Sequence, residues 1–239
     1  MTTSSEERLA VGRPAASAVP PLEAGDRLTR EEFERRYQAM PELKKAELIE
    51  GVVYMPSPVR VRRHACPHAR IITWLGHYEA ATPGVEVADN ATARLDLDNE
   101  PQPDATLYIT PESGGQVRIS PDDYVESAPD LVVEVASSSV SFDLNTKLQV
   151  YRRSGVGEYI VWRVLDGQFD WFALRGGAYE RLAADARGVL RSERFPGLWL
   201  DTAALLQGDL AATLRTLDEG LGGEPHAAFV RRLSGAGQA

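Results

Sequence analysis

The sequence predicts an α/β fold of the α+β kind, a mixed central β-sheet flanked by helices, and three observations carry that prediction. Leu131-Val132-Val133-Glu134-Val135-Ala136 is an apolar, strand-forming run bounded by Ala128-Pro129-Asp130 and Ser137-Ser138-Ser139, the pattern of a strand covered on both faces. A helical segment and a second strong strand follow it by residue 165, a right-handed crossover that makes two strands parallel. Glycine-bearing turns elsewhere predict antiparallel hairpins, so the sheet is mixed.

Residues 1–25 are rich in Ser, Ala, Pro and Glu without periodicity and read as a flexible tail. The folded domain is expected over 26–218, and a second loose tail over 219–239. Thr29-Arg30-Glu31-Glu32 has capping-box spacing, and Phe33, Tyr37 and Met40 follow at helical intervals, predicting a helix that Pro41 ends. Glu50-Gly51, between apolar strand residues from Ala46 to Met55, predicts a tight hairpin leaving through Pro56-Ser57-Pro58. From Pro67, the spacing of His68, Ile71, Ile72, Leu75 and Tyr78 predicts a helix up to Pro83-Gly84.

Val85 to Leu97 alternates like one strand, and Pro103 to Ile109 reads as the next, opened by Asp104. Thr110 to Asp130 is polar and long enough for an irregular excursion. Past the Glu134 strand, Ser141 to Arg153 reads as a serine-capped helix closed by Ser154-Gly155, with Lys147 and Tyr151 on one face. Asp166-Gly167 and Arg175-Gly176-Gly177 signal two hairpins, the first as a type I′ turn. A strand near Val189 to Phe195 and a helix from Asp201 to Leu217 complete the order.

A charged fraction of 26% with 43% hydrophobic residues excludes disordered and fibrous classes. No apolar stretch nears the roughly 18 residues of a membrane span, and the first 21 residues lack a cationic start followed by an apolar block. A cytoplasmic protein is therefore expected. The single cysteine, Cys66, excludes an internal disulfide and a cysteine zinc cluster. A net charge of −9 does not point to nucleic acid. Arg60, Arg62, Arg63, His64, His68 and Arg70 nevertheless crowd the start of one helix, where free N–H groups and the dipole favour phosphate.

Glu134 is the chemical anomaly. An unpaired ionised carboxylate inside an apolar strand costs several kcal/mol, so it is neutral, ion-paired or metal-bound. Asp104, Glu134 and Lys147 converging on one sheet would suit a divalent-cation hydrolase; a buried ion pair explains the same spacing. Competing motifs fit less well. Ser137-Ser138-Ser139 has no glycine-flanked elbow, and His64-x-x-x-His68 lacks the glutamate of His-Glu-x-x-His.

Glu47-Leu48-Ile49-Glu50-Gly51, Ser57-Pro58, His68, Pro103-Asp104, Pro129 to Ser137, Lys147-x-x-x-Tyr151 and Gly155-Val156-x-Glu158-Tyr159 form an ordered set spread over about residues 29–205. This set resembles the Uma-type family of restriction-endonuclease-like proteins, within the PD-(D/E)XK nuclease superfamily. The resemblance implies a restriction-endonuclease-like αβββαβ core and an endonuclease that hydrolyses DNA with Mg²⁺ or Mn²⁺. It implies a metal set of Asp104, Glu134 and Val135, and catalytic roles for Asp104, Glu134, Lys147 and Glu47. DNA contacts would fall to His68, Arg62, Arg63 and Arg70, and double-strand cutting would call for a homodimer. One departure stands out. The superfamily lysine lies two residues after the glutamate, where this chain has Ala136, so Lys147 on the following helix must replace it or the fold is a catalytically silent binding module.

Overall fold

The computed structural model describes residues 19–55 and 59–236. Helix α1 (Arg30–Gln38) starts at Thr29, whose hydroxyl accepts the Glu32 N–H at 3.4 Å. Only half of the expected capping box forms, because Glu32 spends its carboxylate on Arg35 and Arg36. Strands β1 (Glu47–Ile49) and β2 (Val52–Tyr54) pair through Glu50-Gly51, both left-handed at φ 53° and 69°, a type I′ turn. The expected exit through Pro56-Ser57-Pro58 lies outside the described residues.

A π-helical turn (Val61–Ala65) leads into α2 (Cys66–Ala80), so the helix begins earlier than its apolar periodicity indicates. The expected strand from 85 to 97 is two: β3 (Val85–Asp89) and β4 (Ala93–Arg94), separated at Asn90 with φ 53°. Then come β5 (Ala105–Ile109), a polar excursion carrying β6 (Arg118–Ile119) and β7 (Val125–Glu126), and β8 (Leu131–Ala136). The excursion is less irregular than expected, since β4, β7 and β6 form a small sheet.

Helix α3 (Val140–Phe142) runs through a second π-helical turn (Asp143–Lys147) into α4 (Leu148–Ser154), closed by Gly155 at φ 86°. No serine side chain caps its start. Strands β9 (Glu158–Arg163), β10 (Gln168–Arg175) and β11 (Ala178–Arg181) follow as a meander. The Asp166-Gly167 turn is not type I′. Arg163 pairs with Gln168 across a four-residue loop in which Gly167 alone is left-handed, whereas Gly176-Gly177 does make the two-residue turn. A short hairpin of β12 (Val189–Arg191) and β13 (Trp199–Asp201) precedes α5 (Thr202–Gln207), α6 (Leu210–Leu221) and α7 (Glu224–Ala236). Gly208, left-handed at φ 81°, splits the helix expected over 201–217.

Both expected tails need correction. Residues 219–236 are not loose: α7 buries His226, Phe229 and Leu233, a stripe at three and four residue intervals that joins the main core. At the other end, Leu22 is buried beside Phe33, Leu48 and Val53, and the Gly25 N–H bonds the Val53 carbonyl. Order therefore begins before residue 26. Residues 1–18 lie outside the described part.

The main sheet has the order β11-β10-β9-β8-β5-β3, with β8 and β9 parallel and the other neighbours antiparallel. The mixed sheet and its crossover are as the sequence predicts. Leu131, Val133 and Val135 pack with Ile71, Trp74 and Leu75 of α2 on one face; Val132 and Ala136 pack with Tyr151 and Tyr159 on the other. Glu134 points to this second face and is buried.

A separate pair of carboxyls, Glu100 buried and Glu34 half-buried, braces the N-terminal part. Arg94 Nε lies 2.9 Å from Glu34 Oε1 and 4.0 Å from Glu100 Oε2. Burial, then the Glu34 carboxyl beside it, pushes Glu100 up to about 8. Because the folded state holds that proton more tightly than the unfolded one, this contribution to stability is full below about pH 4.3 and is lost as pH rises through about 8. Glu100→Gln, fixed neutral, is expected to match wild type at pH 5 and to be about 1–2 kcal/mol more stable at pH 9. Urea unfolding at both pH values checks this; equal stability at pH 9 would count against a protonated Glu100.

Candidate active site

The register of β5 against β8, in which Ala105 faces Val133, sets Asp104 at the mouth of β5 beside Glu134 and Val135. Asp104 Oδ2 accepts the Val135 N–H at 2.7 Å. Its other oxygen faces two basic groups, His64 Nε2 at 3.4 Å and Lys45 Nζ at 3.6 Å. Burial alone would push the Asp104 carboxyl up. His64, Lys45 and the Val135 N–H outweigh burial and hold it at about 2.

Helix α4 and its π-turn close the other side. Lys147 Nζ stands 2.9 Å from Glu134 Oε1 and 2.9 Å from Glu47 Oε1, with Glu47 brought in by the first hairpin. The Tyr151 hydroxyl donates to the same Glu134 oxygen at 2.9 Å, and the Gln102 N–H donates to Glu47 Oε1 at 2.8 Å. Lys147 is buried, as is Asp143 one turn before it. Burial would depress the lysine, but Glu134, Glu47 and Asp143 together raise it well above its ordinary range. Burial, followed by repulsion from Asp143, Asp104 and Glu47, pushes Glu134 up to about 8 despite Lys147. The excess of carboxylates around a single ammonium raises Lys147 against burial and adds to burial at Glu134.

The structure thus brings together Asp104, Glu134, Val135, Lys147 and Glu47, and Tyr151 joins them through its hydroxyl. Three further side chains escaped the sequence reading as members of this site. His64 stands in the basic cluster expected to meet phosphate and in a histidine pair that fits zinc poorly; Lys45 follows α1 in a stretch with no periodic signal; Asp143 is one acid on the helix that carries Lys147. Lys147 and Asp143 share a spacing of four, which marks a common helix face and is the signal that could have found Asp143.

The expected DNA-contact residues divide. His68 Nε2 lies 2.7 Å from the Asp104 carbonyl and 3.0 Å from Asp89 Oδ1, bracing the start of β5. Its ring stacks parallel on His64, with centroids 5.7 Å apart, so the two do not aim at a common ion. Arg62 and Arg63 are exposed on the π-turn and form no ion pair among the described residues. Arg70 is not with them. It lies on the opposite face of α2, its guanidinium against the Gly208 turn.

Among the described residues no three His, Cys, Asp or Glu side chains make a ready metal cluster. The donor chemistry still fits a hard divalent ion: the outward Asp104 oxygen, Glu134 Oε2, which carries no hydrogen bond among the described residues, and the Val135 main-chain carbonyl. Mg²⁺ is held in this way, by one or two carboxylates with water completing its shell.

The family described as "Uma2: Putative restriction endonuclease" matches residues 30–203. Among curated proteins none matches the chain. A solved structure described as "a putative nuclease belonging to DUF820", from Anabaena variabilis, superposes with a TM-score of 0.52 at 12% identity, covering 78% of this chain and 97% of that one. At that identity the likeness speaks for the fold.

Proposed function

The chain belongs to the Uma2 family of restriction-endonuclease-like proteins, and from that premise we propose that it is a divalent-metal-dependent endonuclease hydrolysing DNA phosphodiester bonds. The observation that carries the reading is Glu134 itself: a carboxylate buried in a sheet strand, with Asp104 across the register and Lys147 held against it at 2.9 Å. Asp104, Glu134 and the Val135 carbonyl would hold the ion, Mg²⁺ or Mn²⁺. Bound there, the ion supplies a water of lowered pKa and offsets phosphate charge.

The chain's own groups do the rest. Lys147 directs its ammonium into the space between Glu134 and Glu47, where it would orient the attacking water and stabilise the anion that develops on phosphate. Glu47 fixes that ammonium and is itself fixed by the Gln102 N–H. Tyr151 holds Glu134 Oε1, which leaves Oε2 for the ion. Arg62 and Arg63, exposed on the π-turn that carries His64, would meet phosphates flanking the cut.

A homodimer acting in the cytoplasm goes with this reading, because cutting both strands takes two such sites. No helix among the described residues is long and apolar enough to cross a membrane.

Cleavage of plasmid with Mg²⁺, with Mn²⁺ and with EDTA tests the proposal, comparing wild type with Asp104→Ala and Glu134→Ala. Wild type is expected to cut only with metal and both variants to be inert. A second reading, a silent module that binds nucleic acid or a protein partner, draws on Ala136 and on the two ion pairs that already occupy Lys147. It gains if all three proteins are inert and wild type shows salt-sensitive DNA binding.

A further inference from the structure

His64 is lodged between two of the oxygens assigned to the ion. Its Nδ1 lies 3.1 Å from the Val135 carbonyl and its Nε2 3.4 Å from Asp104 Oδ1. A carbonyl can only accept, so Nδ1 carries the proton. Nε2 then faces a carboxylate oxygen, and what lies between them must be positive, either a second proton or a metal ion. A ring with one nitrogen donating to a main-chain carbonyl is also how metal-bound histidines are oriented. Two donors each about 2.1 Å from one ion stand about 3.0–3.4 Å apart, and the observed spacing is at the end of that range.

The backbone adds an independent sign. The π-turn, in which the Ala65 N–H reaches the Arg60 carbonyl and the Cys66 N–H the Val61 carbonyl, delivers His64 to Asp104 in addition to His68 one turn later. Wide turns of this kind concentrate at functional sites. Here the turn supplies a second imidazole that bracing β5 does not require.

We propose that His64 Nε2 ligates the divalent ion at Asp104 and Glu134 in place of the Val135 carbonyl, which the Nδ1–H of the same ring holds, making a mixed nitrogen and oxygen centre that takes Mn²⁺ in preference to Mg²⁺. The inference rests on the metal reading above. An imidazole adds affinity for first-row transition ions and little for Mg²⁺, which favours oxygen. Lys45, half-buried and 3.6 Å from the same Asp104 oxygen, gives way to the ion by turning to solvent.

The test is pulsed electron paramagnetic resonance on the full chain, stripped with EDTA and loaded with Mn²⁺ alone. Wild type is expected to show ¹⁴N modulation from a directly bound imidazole, lost in His64→Ala. Mg²⁺ competition is expected to show the Mn²⁺ preference falling about tenfold in that variant. Mn²⁺ bound to wild type without the ¹⁴N signal, or an unchanged preference in His64→Ala, overturns the proposal and leaves the metal reading standing. Failure of wild type to bind either ion overturns both.

Discussion

Lys147→Met is expected to destabilise the protein by about 3–5 kcal/mol at pH 8 and to reduce metal-dependent cleavage to background. Methionine fills much of the same space, so the loss is of charge: Glu47 and Glu134 would each lose a partner at 2.9 Å while remaining buried, with Asp143 adjacent. The pH dependence separates this cause from lost packing. Glu134 is pushed up to about 8, burial first and neighbouring carboxylates next, and Asp143 is raised by burial. Carboxyls with raised folded pKa bind their protons more tightly in the folded state, so their contribution is full below about pH 4 and lost as pH climbs toward 8. Without the ammonium that loss deepens, and the deficit of the variant should shrink by at least half between pH 8 and pH 5. Urea unfolding followed by tryptophan fluorescence measures it. A deficit equal at both pH values would mean that the ammonium is not what neutralises this cluster.

Glu158→Ala is expected to cost about 3–5 kcal/mol although the residue is remote from Asp104 and Lys147. Glu158 opens β9 and accepts four hydrogen bonds, from Trp171 Nε1 at 3.0 Å, Ser192 Oγ at 2.8 Å, the Glu193 N–H at 2.7 Å and the Arg194 N–H at 2.9 Å. Alanine leaves these donors without an acceptor, the Trp171 indole in a fully buried place and the others in a half-buried one. Glu158→Gln keeps one carbonyl oxygen for the two main-chain donors and should cost about half as much. The midpoints of urea unfolding for both variants decide it. A loss under 1 kcal/mol in Glu158→Ala would show that the chain from Ser192 to Arg194 finds other partners.

The legible parts of the chain were those where one residue type has one physical meaning. A carboxyl in the Val-rich strand of Glu134 had to be neutral or partnered, and Glu50-Gly51 or Gly176-Gly177 between strands could only turn. The crossover from β8 to β9 followed from strand, helix and strand in order. What was hidden depended on tertiary partners. Asn90 breaks a good alternating pattern because β3 and β4 serve different sheets. Helix α7 looked like a tail because its buried stripe is spread thinly among Gly, Ala and Arg. Lys45 and the place of His64 beside Asp104 emerge only when distant segments meet, whereas Asp143 is marked by its spacing of four from Lys147. Arg70 misled for a plainer reason: proximity in sequence to His68 places it, on a helix, on the opposite face.

The π-turn over Asp143–Lys147 has a consequence for how the site is set. In a helix each residue advances the side-chain direction by about 100°, so one residue more or fewer in that wide turn rotates everything before it relative to everything after it. The ammonium that faces Glu134 is therefore aimed by angular phase, not by strand register, as a lysine two places after the glutamate would be. Shortening the turn by a single residue would swing Asp143 and Phe142 around the axis relative to Lys147 and Tyr151, while every strand stayed in place. Such a protein would keep its sheet and its charges and lose their convergence, a route by which a member of this fold could fall silent without changing any of its acidic or basic residues.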